Sequence, residues 1–151
     1  MLGWSRTGDD TKDASDKGGT MDDRQRVSSG SPYESRFGFS RAVRVGNQMF
    51  VAGTAPIEPD GSVTPGGMEA QTRRCLSIIA EALTEAGATL DDVVRTRMYV
   101  TDVARWEEIA GAHADAFAQV RPAATIVEVK ALVDPAMLIE IEVDAVIAAG
   151  S

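Results

Sequence analysis

Gly38-Phe39-Ser40-Arg41-Ala42-Val43-Arg44-Val45-Gly46-Asn47-Gln48-Met49-Phe50-Val51-Ala52-Gly53-Thr54 is the stretch on which the fold turns. Phe39, Arg41, Val43 and Val45 alternate with Ser40, Ala42 and Arg44 at the two-residue period of a strand, whose successive side chains point to opposite faces. Gly46-Asn47 is a tight-turn pair, and Gln48 to Ala52 is a second apolar run bounded by turn residues. The spacing predicts a β-hairpin over 37–54.

Toward the C-terminus, Pro56, Pro59 and Asp60-Gly61 extend a loop with room for a short strand at 62–64. Met68, Thr72, Cys75, Leu76, Ile79, Leu83 and Ala86 then recur at helical spacing, and Gly87 is a natural stop. Thr89-Leu90-Asp91-Asp92 reads as a capped turn, followed by a strand over 94–100 with Arg95, Arg97 and Tyr99 on one face. Thr101-Asp102 can cap a second helix with an apolar stripe of Trp106, Ile109, Ala110, His113, Phe117 and Val120, ended by Arg121-Pro122. Two strands close the domain, 124–129 and 137–146, with the Asp134-Pro135 turn between them. The last puts Ile139, Ile141, Val143 and Ala145 on one face and Glu140, Glu142 and Asp144 on the other. A face with three acids must meet water, cations or a neighbouring subunit.

The order β-β-(β)-α-β-α-β-β predicts an α+β fold, a single mixed sheet with two helices packed on one face. Toward the N-terminus the chain changes character. Residues 1–31 are rich in Gly, Ser, Asp, Lys and Thr with almost no apolar periodicity, so they read as a disordered leader before a domain over 32–151. Met21 opens Met21-Asp22-Asp23-Arg24 within that leader and could be the initiator.

At 151 residues, 44% hydrophobic and 25% charged, the chain suits one soluble core. No apolar run approaches the roughly 20 residues that cross a bilayer, and the first residues lack a signal pattern, so no membrane partner and a cytoplasmic location are expected. Cys75 and His113 are the sole residues of their types, which excludes an internal disulfide and an ordinary Cys/His zinc cluster. No metal and no cofactor are expected. A net charge of -8 opposes a phosphate backbone, so a nucleic-acid role would need Arg41, Arg44, Arg95 and Arg97 to gather, and acidic strands surround them. His113 and Cys75 read as interior packing. Gly66-Gly67 is too short for a phosphate loop.

Six further stretches stand in order: Phe50 to Pro56, Gln71-Thr72-Arg73, Gly87 to Val94, Tyr99-Val100-Thr101-Asp102, Arg121-Pro122-Ala123 leading to Val127-Glu128-Val129, and Ile139-Glu140-Ile141-Glu142. With Gly38 to Asn47 they span about 37–147 and together resemble the RidA family, also called YjgF/YER057c/UK114. The resemblance implies a chorismate-mutase-like α+β fold and a homotrimer with clefts between subunits. It also implies hydrolysis of enamines and imines to 2-oxo acids and ammonia.

The family's enzymes carry an arginine where this chain has Ala124, and it grips the substrate carboxylate. Such a charge-assisted pair is worth roughly 1.5 to 3 kcal/mol, none of which alanine supplies. The family tyrosine near the first strand matches Phe39, which keeps the ring and loses the hydroxyl. By the same resemblance Gly53 and Thr54 form a ligand cradle, Phe39, Ala124, Thr125 and Ile126 are substrate-binding positions, and Glu140 holds the attacking water. A strand-end bulge would equally explain Gly53, and an ion-paired strand carboxylate would explain Glu140. Arg95, Arg97 or Arg41 could lend the missing cation, or simply pair with the acids of the last strand.

Two functions follow. One is a RidA-like hydrolase of a small imine, enamine or related carbonyl metabolite, with weak or no 2-imino-acid deaminase activity. The other is a non-catalytic trimer that binds a metabolite or a protein. The family's association with RNA cleavage is a third reading, which the acidic balance disfavours.

Overall fold

The computed structural model describes residues 23–150, and its first strand falls inside the expected leader. β1 (Arg24–Val27) pairs antiparallel with the strand Ala42–Val45, Arg24 opposite Val45 and Val27 opposite Ala42. Val27 alone of the four is buried, so the segment shows no apolar alternation; backbone pairing at a sheet edge holds it. Residues 24–27 are therefore ordered where a leader was expected, and residues 1–22, Met21 included, lie outside the described residues.

A helix, α1 (Pro32–Phe37), stands where the hairpin was expected to begin. Ser31 caps it by accepting from the Tyr33 N–H, Pro32 fits its first turn, and Gly38 ends it in the left-handed region at φ 80°. None of its side chains is buried, so no periodicity announces it. The hairpin proper is β2 (Ala42–Val45) and β3 (Gln48–Thr54). Gly46, at φ 61°, takes the first central position of their two-residue turn, where a side chain would be strained.

α2 (Gly67–Glu85) buries Met68, Cys75, Leu76, Ile79 and Leu83, as the periodicity predicts. Thr89 and Asp92 form the expected capping box, and β4 (Val93–Val100) follows. Asp102 caps a 3-10 turn over Val103–Arg105 that runs into α3 (Trp106–Phe117). Ile109, Ala112 and Phe117 set the buried face of α3, and Trp106, expected on it, begins the helix outside at 53% exposure. The chain ends with β5 (Ala123–Glu128) and β6 (Ile139–Val146). The short strand expected at 62–64 is a single bridge, Ile57 to Val63.

The sheet has six strands in the order β1-β2-β3-β6-β4-β5. β4 and β5 run parallel through α3 and the other pairs are antiparallel, so the sheet is mixed as expected. One face carries Met49, Val51, Met98, Val100, Ile139, Ile141 and Val143, all buried in one core with the apolar faces of α2 and α3. Each such side chain contributes about 1.5 to 3 kcal/mol by leaving water. Thr96 of β4 meets His113 of α3 at 2.9 Å, fixing α3 over that strand. Neither α2 nor α3 packs on the opposite face.

Candidate functional site

The face of the sheet away from α2 and α3 carries charge. Glu140, Glu142 and Asp144 of β6 stand opposite Tyr99, Arg97 and Arg95 of β4. The Tyr99 hydroxyl donates to Glu142 at 2.6 Å, and Arg97 reaches Asp144 at 3.2 Å and Glu142 at 3.6 Å. Arg95 lies 4.0 Å from Asp144. Cross-strand pairing therefore accounts for Glu142 and Asp144, and for both β4 arginines. The four arginines do not gather, since Arg44 is on the helix side, donating to the Ala86 carbonyl at the end of α2 at 2.6 Å.

Glu140 differs from its neighbours. Among the described residues it forms no ion pair within 4 Å, and its carboxylate rests against the Cα of Gly53. A methyl group built on Gly53 would overlap Glu140 Oε1 outright and stand 3.2 Å from its Cδ. The lack of a side chain at residue 53 thus makes room for Glu140 rather than for a ligand touching bare backbone. Burial pushes the Glu140 carboxyl above its ordinary range; Arg41 opposes this and Glu142 adds to it.

The local chain explains the contact. Between Val51 and Thr54 the pairing of β3 with β6 slips, a bulge that carries Gly53 out of register. Arg41 reaches across and donates from Nη2 to the Gly53 carbonyl at 2.6 Å. Thr54 is fully buried, with its hydroxyl donating to the Ala52 carbonyl at 2.8 Å, so it shapes the wall from within and offers no hydroxyl to a ligand. On the far side the buried Gln71 amide donates to the Thr64 and Ala136 carbonyls and accepts from the Leu138 N–H. That clamp ties the start of β6, and hence Glu140, to α2.

The remaining expected site residues lie elsewhere. Phe39 is in the link between α1 and β2, 36% exposed and edge-on to Phe37. Ala124, Thr125 and Ile126 are on β5 at the sheet edge, with Ala124 and Thr125 exposed and Ile126 packed against the core. Ala124 pairs with Thr96, whose side chain faces the helices, whereas Glu140 is on the other face. Two strand spacings across and three residues along put them roughly 14 Å apart. One chain therefore does not bring Ala124 to Glu140. In the sequence Arg41 is one of several cations near the acids of the last strand; its alternation with Val43, away from the core, is the signal for its place.

Other groups are quieter. Burial raises the Cys75 thiol far above its ordinary value, which leaves it unreactive. Burial lowers His113, half enclosed against Phe117. A groove of about 370 Å³ runs between Thr101, Lys130 and Pro135 and does not include Glu140. Among the described residues no group of three or more His, Cys, Asp and Glu is placed to hold a metal. No helix among them is long and apolar enough to cross a membrane.

Residues 31–147 match the family model described as Endoribonuclease L-PSP. The chain belongs to that family. A RutC family protein of Pyrococcus abyssi is 38% identical over 105 residues, 69% of this chain and 82% of the relative. A crystal structure from Mycobacterium tuberculosis, of a member of the YjgF/YER057c/UK114 family, is 51% identical with a TM-score of 0.76, covering 82% of this chain and 99% of the other. A Rid family structure from Yersinia pestis is 34% identical with a TM-score of 0.68, covering 72% and 87%. These likenesses agree with the resemblance read from the motifs and with the single mixed sheet. Endoribonuclease L-PSP membership supports a role in processing small molecules.

Proposed function

We propose that the chain is a hydrolase of a small imine, enamine or related carbonyl metabolite, working in a cleft completed by a second copy within a homotrimer. The observation that carries this reading is Glu140: a partly buried carboxyl, raised above its ordinary range, held against Gly53 and left out of the ion pairs that occupy Glu142 and Asp144. A carboxyl whose proton is held more tightly than usual is the stronger base once ionised, and so is suited to take a proton from water and hand it on. As carboxylate it takes a proton from water while the oxygen attacks the imine carbon and the C=N electron pair moves to nitrogen. It then returns the proton to the amine. The carbinolamine's hydroxyl proton then passes to nitrogen as the C–N bond breaks, giving ammonia and a carbonyl whose oxygen came from water.

The second copy is supported by two features. Ala124 and Glu140 are on opposite faces of one chain, so a β5 residue that reached Glu140 would have to come from another chain. The face away from α2 and α3 also exposes Val45, Phe50, Val127 and Val146 among its charges, apolar area that a neighbouring sheet would cover. With Ala124 in place of a cation, a substrate carboxylate finds no bidentate partner on β5, and 2-imino-acid deamination is expected to be weak. The family model's description speaks of an endoribonuclease, but the chain's charge of -8 and the pairing of Arg95 and Arg97 with acids favour a small uncharged or weakly anionic ligand.

Ammonia release from iminopyruvate, measured beside an Ala124→Arg variant, tests the reading. The variant should gain about tenfold to a hundredfold in kcat/KM, the worth of the restored ion pair. Strong wild-type turnover that the substitution leaves unchanged would contradict it. Binding of a metabolite that survives incubation with no imine turned over would favour the non-catalytic trimer.

A further inference from the structure

Arg41 is placed unusually for a cation. It is largely enclosed, its Nε is sealed from solvent and meets no acceptor among the described residues, and its Nη2 donates to a backbone carbonyl, that of Gly53. A guanidinium that gives up hydration while leaving donors unmatched is destabilising in itself, so its position calls for a reason. That bond secures the peptide at the bulge between Val51 and Thr54, where β3 leaves register with β6. The Glu140 carboxylate rests on the Cα of the same residue.

We propose, on the hydrolase reading above, that Arg41 is a positioning residue: it clamps the Gly53 peptide into the ledge that seats Glu140, and sets a fixed positive charge behind that carboxylate in a site whose β5 carries alanine. The charge is directed inward. It steadies Glu140 and does not replace the lost grip on a substrate carboxylate. The groups that face Glu140 fit this role. Glu142 on its own strand is occupied by Tyr99 and Arg97, Tyr99 of β4 lies opposite it, and Cys75 of α2 is a neutral thiol. Glu34, which faces Arg41 from α1, is held by Ser28 and Ser29. Arg41 is the positive group that Glu140 feels.

The test is the titration of Glu140 in the full chain with ¹³C-labelled glutamate carboxyls, its resonance assigned by loss in Glu140→Gln. In Arg41→Gln the acid dissociation constant of Glu140 should fall roughly tenfold or more as the opposite charge is lost. In Arg41→Lys, whose ammonium cannot make the same planar contact, it should fall roughly threefold. Should the glutamine variant fail to fold, the lysine variant carries the test. Identical titration in every folded variant would overturn the proposal, as would a change confined to melting temperature. The acidic limb of kcat should move in step, with KM for a neutral imine unchanged. A titration that moves while no imine is turned over would uphold the role of Arg41 and overturn the hydrolase reading.

Discussion

Gly53→Ala separates a structural glycine from a functional one. The added methyl would overlap Glu140 Oε1 and lie 3.2 Å from Cδ, so the carboxylate must retreat by roughly 1 Å to regain ordinary contact. The obstacle is the free end of a flexible side chain, and residue 53 is not in the left-handed region, so the backbone is unstrained. Unfolding free energy should therefore change by less than about 1 kcal/mol, within the ordinary range for a substitution that creates neither cavity nor strain. Catalysis should suffer more. A misplacement of about 1 Å in a reacting group costs on the order of a hundredfold, or about 2.7 kcal/mol of activation free energy. Urea denaturation and imine turnover on the same preparation give both numbers. Unchanged turnover, or a large loss of stability with turnover intact, would refute the reasoning, because the space at residue 53 would then serve the fold and not Glu140.

Two further outcomes concern pH. The Glu140 carboxyl is raised by burial, so the folded chain holds its proton more tightly than the unfolded chain, and the cost of ionising it appears as pH rises from about 4.5 through the folded value. Glu140→Gln should accordingly gain stability relative to wild type across that window and then level off; a constant difference from pH 4.5 to 8 would show that Glu140 is not strained by burial. His113 is lowered by burial, so the unfolded chain binds the proton more readily and stability should fall as pH drops below about 6.5. In His113→Gln the slope between pH 7.5 and 5.5 should flatten, and an unchanged slope there would contradict the assignment.

Much of the fold was legible because it is written in burial. The alternation of β6, the helical spacing of Met68 to Leu83 and the Gly46-Asn47 turn each report a face turned toward the core. β1 and α1 escaped because they bury one residue and none, respectively, and are held by backbone pairing and caps. The Ser31-Pro32 start and the Gly38 stop were the local signals for α1. The site was legible only in part. Glu140 and Gly53 were named, but that they touch each other depends on a bulge, which shifts register without leaving a period in the sequence. Thr54 turns inward for the same reason. Arg41 looked like any strand arginine, since its neighbours Gly53 and Glu140 come from distant parts of the chain.

If Glu140 works beside the β5 edge of another copy, sedimentation equilibrium of the purified chain shows it most directly. A mass three times that of the protomer, unchanged on dilution through the assay range, is the predicted result. A stable single protomer that still turns over imine would contradict the account, because one chain holds Ala124 and Glu140 on opposite faces of its sheet.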